Sequence, residues 1–198
     1  AQYAAEEGVF DMSDVQRAVT TKIIGLHPHV FGDVTADTPD EVIDEQLLYV
    51  LKSRFWLTSL AIPHMIDGGG GSNVYIGSGS RVEATNERSF NTIARAGEWQ
   101  MMKNFAAEFG PNNIRVNIIA PAMIESSGSQ ALFASAAGKE RITKLPLRRG
   151  GTTNEVAMAA AFLASEASSF TTGAVFPVDG GRLVHASDPI LSQQENHA

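Results

Sequence analysis

Two closely spaced histidines near the start of the chain could bind a metal ion. His27 and His29 are separated by one proline, and two imidazole rings at this spacing could bind a metal ion. A metal site needs further ligands, and no third ligand is evident in the sequence around them. We therefore favour a structural interpretation of these histidines and predict no metal site. The chain has no cysteine, which excludes disulfides, thiolate metal sites and cysteine nucleophiles.

The charge balance limits the partners that we expect. The 198 residues include 15 basic and 22 acidic residues, which gives a net charge of -7. An acidic protein repels a phosphate backbone, so we expect no nucleic-acid partner. No apolar run approaches the roughly 20 residues that a membrane span needs, and no signal peptide is visible. Together with the absence of cysteine, this leads us to expect no membrane partner and a cytoplasmic location.

Helical periods alternate with short apolar runs from about residue 45 onwards. Because crossover helices connect parallel strands, this alternation predicts an α/β fold. Runs that are apolar throughout are typical of a parallel sheet covered on both faces. We therefore predict part of a doubly wound, Rossmann-like parallel sheet flanked by helices, with Asn154 capping the last helix. The predicted strands are 73–77, 114–120 and 174–178, and the predicted helices are 45–66, 88–109, 129–141 and 155–165.

Composition divides the chain into three segments. Residues 1–44 hold much of the acidic charge and form a short helical segment, with predicted helices at 12–26 and from Pro39 onwards. Residues 45–183 form the α/β unit. Residues 184–198 are polar and without a period, so we expect a flexible tail.

The α/β unit contains five motifs in a characteristic order. They are NIRVNIIAP at 113–121, LPLRRG at 145–150, EVA at 155–157, FLAS at 162–165 and TGAVFPVDGG at 172–181. This combination resembles the C-terminal half of a short-chain dehydrogenase/reductase, and the resemblance extends over residues 45–183. It implies a small alcohol or carbonyl substrate, a nicotinamide cofactor and a homo-oligomer.

The resemblance also implies a catalytic site. The family uses a serine that binds the substrate oxygen, a tyrosine that transfers a proton, and a lysine four residues later. Ser78 falls on the serine position. Counting back from residue 113 without gaps places Asn91 on the tyrosine position and Arg95 on the lysine position, while the family's helix asparagine falls on Val50.

The two replacements change what the predicted site can do. A neutral carboxamide does not titrate and cannot shuttle a proton as a phenol does. Arg95 keeps a positive charge, but a guanidinium does not release its proton. The sequence therefore predicts a degenerate catalytic set made of Ser78, Asn91 and Arg95.

The cofactor site is predicted from the same resemblance. Pro121, Ile124 and Ser126 match the stretch that touches the nicotinamide in the family, so NAD or NADP is the implied cofactor. The family holds the pyrophosphate at a glycine-rich turn between its first strand and helix. The glycines at 68–71 precede a predicted strand, so we interpret them as a plain loop.

The segment Ala94-Arg95-Ala96-Gly97 suggests an alternative. It resembles halohydrin dehalogenases, which use serine, tyrosine and arginine, carry no nicotinamide and hold a halide in its place. In that family the tyrosine deprotonates a vicinal hydroxyl, and the alkoxide displaces the halide to form an epoxide. This resemblance implies an epoxide-forming lyase with no cofactor.

The first segment resembles a different family. The stretches AEEGVFD at 5–11 and HPHVFGD at 27–33 resemble the end of MazG-type nucleoside triphosphate pyrophosphohydrolases. That family binds Mg²⁺ through carboxylates on two helices that precede this part, so no metal ligands are carried over.

Three functions remain open from the sequence. The favoured hypothesis is a short-chain dehydrogenase/reductase-like oxidoreductase scaffold that acts on a small alcohol or carbonyl substrate with a degenerate catalytic set. The second is a halohydrin dehalogenase-like lyase. The third is a non-catalytic oligomerising scaffold or a pyrophosphohydrolase fragment.

Overall fold

The computed structural model describes residues 39–78 and 89–184. It divides between Arg54 and Phe55 into two compact units, which we describe separately. The predicted helix at 12–26, the two histidines and the predicted tail beyond residue 184 lie outside the described residues. The predicted segment boundaries at residues 44 and 183 stay predictions.

The described part of the first unit is helical. Helix α1 (Pro39–Gln46) begins at the proline that the sequence predicts, because its fixed φ suits the first helical position. A π-helical segment (Leu47–Lys52) follows it. The carbonyl of Tyr49 accepts hydrogen bonds from Ser53 Oγ at 2.5 Å and from Arg54 Nη1 at 2.9 Å. The apolar pattern predicts a helix here but does not distinguish a π-helix from an α-helix.

The second unit alternates strands and helices. In chain order its elements are α2 (Ser53–Asp67, which begins in the first unit), β1 (Gly71–Ile76), α3 (Ser89–Phe109), β2 (Ile114–Pro121), β3 (Ile124–Glu125), α4 (Gln130–Ala134), α5 (Ala136–Thr143), β4 (Gly151–Thr152), α6 (Thr153–Ala164) and β5 (Val175–Val178). Within the described residues, no helix is both long and apolar enough to cross a bilayer.

Strand β2 lies at the centre of a three-stranded parallel sheet of order β1–β2–β5. Gly71 pairs with Ile114 at one end of the β1 ladder, and Pro121 pairs with Val178 at the end of the β5 ladder. This arrangement confirms the predicted α/β fold with a parallel sheet flanked by helices.

The two faces of β2 pack against different helices. Ile118 belongs to a buried cluster with Trp99 and Met102 of α3, whereas the neighbouring Ile119 belongs to a cluster with Leu163 of α6. Successive side chains of a strand point to opposite faces, so both faces of the sheet are covered. This explains why the strand is apolar along most of its length instead of alternating.

Two details of the helices differ from the sequence prediction. The predicted helix 129–141 is interrupted at Ser135, whose extended backbone ends α4 and whose Oγ accepts the Gly138 N–H at 3.0 Å. The cap of α6 is Thr152 instead of Asn154. Thr152 and Glu155 form a reciprocal capping box that satisfies two helix-end N–H groups. The short pair β3–β4 was not predicted, because two residues cannot show a period.

A buried asparagine connects β2 to the segment that leads into β5. Asn117 is fully buried, and its Oδ1 accepts the Ala174 N–H at 3.0 Å. Its Nδ2 donates to the Thr171 carbonyl at 2.8 Å. Because a buried polar side chain must be paired, this residue fixes the path of the loop.

The Asn117→Ala substitution should lower the free energy of unfolding by about 2 kcal/mol, because two partly buried backbone groups, the Ala174 N–H and the Thr171 carbonyl, lose their partner. Urea unfolding followed by tryptophan fluorescence measures this loss. Asn104→Ala is the matched control, since Asn104 is an exposed asparagine of α3 and its loss should change stability by less than about 0.5 kcal/mol. Equal losses in the two variants would contradict the assigned role.

Candidate active site

The predicted serine lies just beyond the carboxyl end of β1. Gly77 follows the strand and continues its ladder by donating its N–H to the Ile119 carbonyl at 2.8 Å, and Ser78 comes next. A side chain added at Gly77 would clash with Ile118 and would lie 3.2 Å from Glu98 Oε2. The absence of a side chain at position 77 therefore allows α3 and the strand end to approach each other.

The two other predicted residues lie on α3, one turn apart. Ala94, Glu98 and Met102 are completely buried, and their spacing marks the inward face of this helix. Asn91 and Arg95 are partly buried near the amino end of the helix. The inward face therefore has a polar end, and its apolar end belongs to the core.

Arg95 forms a buried ion pair with Glu98. Its Nη1 lies 3.1 Å from Oε2 and 3.4 Å from Oε1. The Glu98 side chain is 0% exposed and that of Arg95 is 14% exposed. A carboxylate this deeply buried needs a cation beside it, since an uncompensated buried charge costs about 3–5 kcal/mol. The Nε of Arg95 is also buried and has no hydrogen-bond partner among the described residues.

The structure therefore gathers part of the predicted site around a residue that sequence reasoning missed. The Glu98 carboxylate contacts Arg95 directly and lies beside Gly77, the neighbour of Ser78. Glu98 stands three residues after Arg95, a spacing at which opposite charges on a helix meet. That spacing was the available signal. Chemically, these contacts place an ion pair beside the strand end that precedes Ser78.

The predicted cofactor residues lie in the stretch that begins at the carboxyl end of β2. Pro121 ends β2, and Ile124 begins β3. Ser126 instead caps a turn. Its N–H donates to Ser129 Oγ at 2.8 Å, and its own Oγ lies 3.2 Å from the same atom. Pro121 and Ile124 are thus placed where ligands bind in open α/β sheets, whereas the polar groups of Ser126 are used within the turn.

A cavity of about 250 Å³ opens beside Ile124. Its walls combine apolar and polar groups, and one side carries the ion pair between Arg149 and Glu155. Arg149 Nη2 lies 2.6 Å from Glu155 Oε1. The hydrogen bond from Arg149, together with that from the Thr152 N–H, lowers the pKa of Glu155 to about 2. The carboxylate is therefore charged throughout the ordinary pH range.

The glycine-rich segment offers no place for a pyrophosphate. It follows the carboxyl end of α2, where the helix dipole is negative. All of its N–H groups donate within the chain. Gly68 and Gly70 bond to carbonyls of α2 at 3.0 and 2.8 Å, Gly69 bonds to a third at 3.0 Å, and Gly71 bonds to Asn113 at 3.1 Å. In the described ranges, no glycine-rich turn leads from a strand into a helix, so these residues do not fit a dinucleotide's pyrophosphate.

Metal chemistry has no visible site in the part of the chain that the structure describes. No group of three or more histidine, aspartate or glutamate side chains there could hold a metal ion.

Comparison with protein families gives one extended match. Residues 17–182 match the family described as enoyl-(acyl carrier protein) reductase. The match thus reaches into residues 1–44, for which the sequence suggested a MazG-type resemblance. That resemblance and the halohydrin dehalogenase resemblance stay predictions.

Individual relatives agree with this match. The 3-oxoacyl-(acyl-carrier-protein) reductase FabG of Thermotoga maritima is 35% identical over 134 residues, which are 68% of this chain and 54% of that protein. Dehydrogenase/reductase SDR family member 4 of Bos taurus is 33% identical over 156 residues, 78% of this chain and 56% of that protein. The chain therefore spans about half the length of these curated relatives.

A solved structure shows the same fold with a ligand. The gluconate 5-dehydrogenase from Burkholderia cenocepacia, in complex with NADP and tartrate, superimposes with a TM-score of 0.69 and 28% identity. The match covers 75% of this chain and 58% of that one. A protein with this fold thus holds a nicotinamide dinucleotide.

Removing Arg149 should raise the pKa of Glu155 towards its ordinary value. In the folded protein the lowered pKa favours the charged form, so its contribution to stability is present above the ordinary glutamate pKa and is lost as the pH falls towards 2. Carbon-13 NMR titration should give a midpoint near 2 in the unaltered chain and a rise of about 1 unit or more in Arg149→Gln.

Arg148→Gln is the control for this titration. Arg148 donates to the Thr143 carbonyl, whereas the groups that lower the pKa of Glu155 are Arg149 and Thr152. Its substitution should leave the Glu155 midpoint unchanged. A midpoint that is already ordinary in the unaltered chain would show that the ion pair does not form in solution.

Proposed function

Because the chain belongs to the short-chain dehydrogenase/reductase superfamily, we propose that it acts on a small alcohol or carbonyl substrate as an oxidoreductase-type protein with a degenerate catalytic set. One observation carries the proposal. Arg95, which we assign to the family's lysine position, forms an ion pair with the buried Glu98. The neutral Asn91 precedes Arg95 by one helical turn.

Ser78 is the proposed substrate-binding group. It lies two residues beyond the last residue of β1, at the carboxyl end of a parallel sheet, where ligands of open α/β folds bind. A serine hydroxyl can donate a hydrogen bond to a carbonyl oxygen or accept one from an alcohol. Ser78 would therefore orient the substrate oxygen whichever way the reaction runs.

Proton transfer is the step that we propose to be impaired. A well-placed acid or base contributes roughly 10²–10⁴-fold to a rate. The carboxamide of Asn91 has no proton to exchange, and the guanidinium of Arg95 does not release one. The site can hold a substrate oxygen but lacks a titrating group at position 91.

We propose NAD or NADP as the cofactor, because the chain resembles a family that uses nicotinamide cofactors. A solved relative contains NADP. Pro121 and Ile124 would form the wall beside a nicotinamide ring, and such a cofactor would supply a hydride when bound. The described residues do not fit its pyrophosphate, so what they would contribute is this wall and the substrate contact.

We also propose a homo-oligomer in the cytoplasm. The side chains of Leu57 and Leu60 on α2 are 53% and 69% exposed, and Ile93 on α3 is 62% exposed. Large exposed apolar side chains are common where copies of a chain meet.

A restored variant tests the proposed function. In N91Y/R95K/E98L a phenol and an ammonium occupy the family's positions, and the carboxylate that would neutralise the ammonium is gone. With NADPH or NADH and a panel of small ketones, its rate should exceed that of the unaltered chain by at least about 100-fold. N91F/R95K/E98L is the matched control, because it lacks only the phenolic oxygen, and it should remain at the unaltered rate.

A second comparison tests Ser78 in the same background. Adding S78A to the restored variant should lower the rate by about 10-fold or more, since the substrate oxygen loses a hydrogen bond. The proposed function is wrong if the unaltered chain reduces ketones as fast as the restored variant. It is equally wrong if the restored variant and its phenylalanine control have the same rate.

A further inference from the structure

We infer that Glu98 is a positioning residue that cancels the charge of Arg95 at the site, so that a phenol at position 91 would not be acidified while Glu98 is present. The inference rests on the proposed function, because it concerns the same site. It adds that the acid–base chemistry is blocked twice, by the carboxamide at 91 and by the carboxylate at 98.

The geometry of the pair supports this inference. Both oxygens of Glu98 accept from Nη1 of Arg95, at 3.1 and 3.4 Å. Glu98 is fully buried and Arg95 is nearly so, so that little water screens them. A carboxylate held this close opposes the field of the guanidinium at every nearby atom.

Position 91 lies within reach of that field. Residues four apart on a helix have Cβ atoms roughly 5–6 Å apart, so a phenol at 91 would be a neighbour of Arg95. A single opposite charge at such a distance shifts a pKa by about 1–3 units. An ion pair presents a dipole instead of a charge, and its effect at the same distance is much smaller.

Tyr75 and Arg115, on the two strands nearest α3, are hydrogen-bonded to other elements. The Tyr75 hydroxyl of β1 lies 2.7 Å from Thr58 Oγ1, in a buried hydrogen bond. Arg115 of β2 donates to the Leu163 carbonyl at 2.8 Å, on the α6 side. His64 and Asp67 lie at the carboxyl end of α2, which leads into the start of β1 and not its end. Of these groups, Arg95 and Glu98 are the pair that lies beside the carboxyl end of β1.

The test measures the pKa of a phenol introduced at position 91, by its absorbance near 295 nm as a function of pH. Each variant with N91Y is compared with the same background that keeps Asn91, so that the absorbance of the chain's own tyrosines is subtracted. The backgrounds are the unaltered chain, E98Q and R95M/E98L. The measurement needs no cofactor or substrate, so it does not depend on activity.

The inference predicts two results. Removing both charges, in N91Y/R95M/E98L, should change the phenol pKa by less than about 0.5 unit from N91Y, because the pair already acts as a neutral unit. Removing the carboxylate alone, in N91Y/E98Q, should lower the phenol pKa by about 1 unit or more, because the guanidinium is then uncompensated.

The opposite results would overturn it. If Glu98 does not compensate the charge of Arg95, the phenol pKa in N91Y/R95M/E98L will lie at least about 1 unit above that in N91Y. The phenol pKa in N91Y/E98Q will then differ little from that in N91Y. Circular dichroism establishes that each variant is folded. Should E98Q unfold, the comparison with R95M/E98L decides alone, because replacing a whole ion pair by apolar residues preserves folding far better than breaking it.

The two proposals fail in different ways. An inactive restored variant with the expected phenol pKa values would reject the proposed function and keep the role of Glu98. An active restored variant together with a phenol that is already acidified in N91Y would do the reverse.

Discussion

A carboxylate that is completely buried has to be paired with a cation, and this constraint governs the polar end of α3. Glu98 is 0% exposed and has Arg95 one turn before it, with Nη1 at 3.1 Å from Oε2. Replacing Arg95 alone would remove the cation that lies 3.1 Å from this buried carboxylate. The pair thereby fixes which side chains stand next to the end of β1, where the family's chemistry would occur.

The rest of the fold is held by apolar packing that does not need the catalytic residues. The inward face of α3 continues from Glu98 to Met102 and Phe105, which pack with Ile118 of the central strand. The other face of that strand packs on α6. A chain can therefore keep the superfamily's architecture while the residue at position 91 loses its ability to move a proton, since the core and the site occupy different ends of one helix.

The elements that the sequence predicted well have strong and simple patterns. The strand at 114–120 is an almost continuous apolar run, and burial on both faces demands such a run. Shorter elements show no hydrophobic period from which they could be predicted. The pair β3–β4 has only two residues in each strand, and the break at Ser135 depends on one hydroxyl that accepts the Gly138 N–H. Local hydrogen bonds of this kind override helix propensity, which differs little between neighbouring residues.

The site was predicted through family resemblance more than through physics, and this explains what was missed. The resemblance pointed to Ser78, Asn91 and Arg95, whose mutual role stays a prediction. It gave no position for Glu98, although the spacing of opposite charges on one helix was visible.

A double-mutant cycle of R95M, E98L and R95M/E98L, with unfolding by urea, tests the ion pair most directly. The pair predicts a loss of about 3–5 kcal/mol for R95M, and a double variant within about 1 kcal/mol of the unaltered chain. Losses that simply add in the double variant would contradict it.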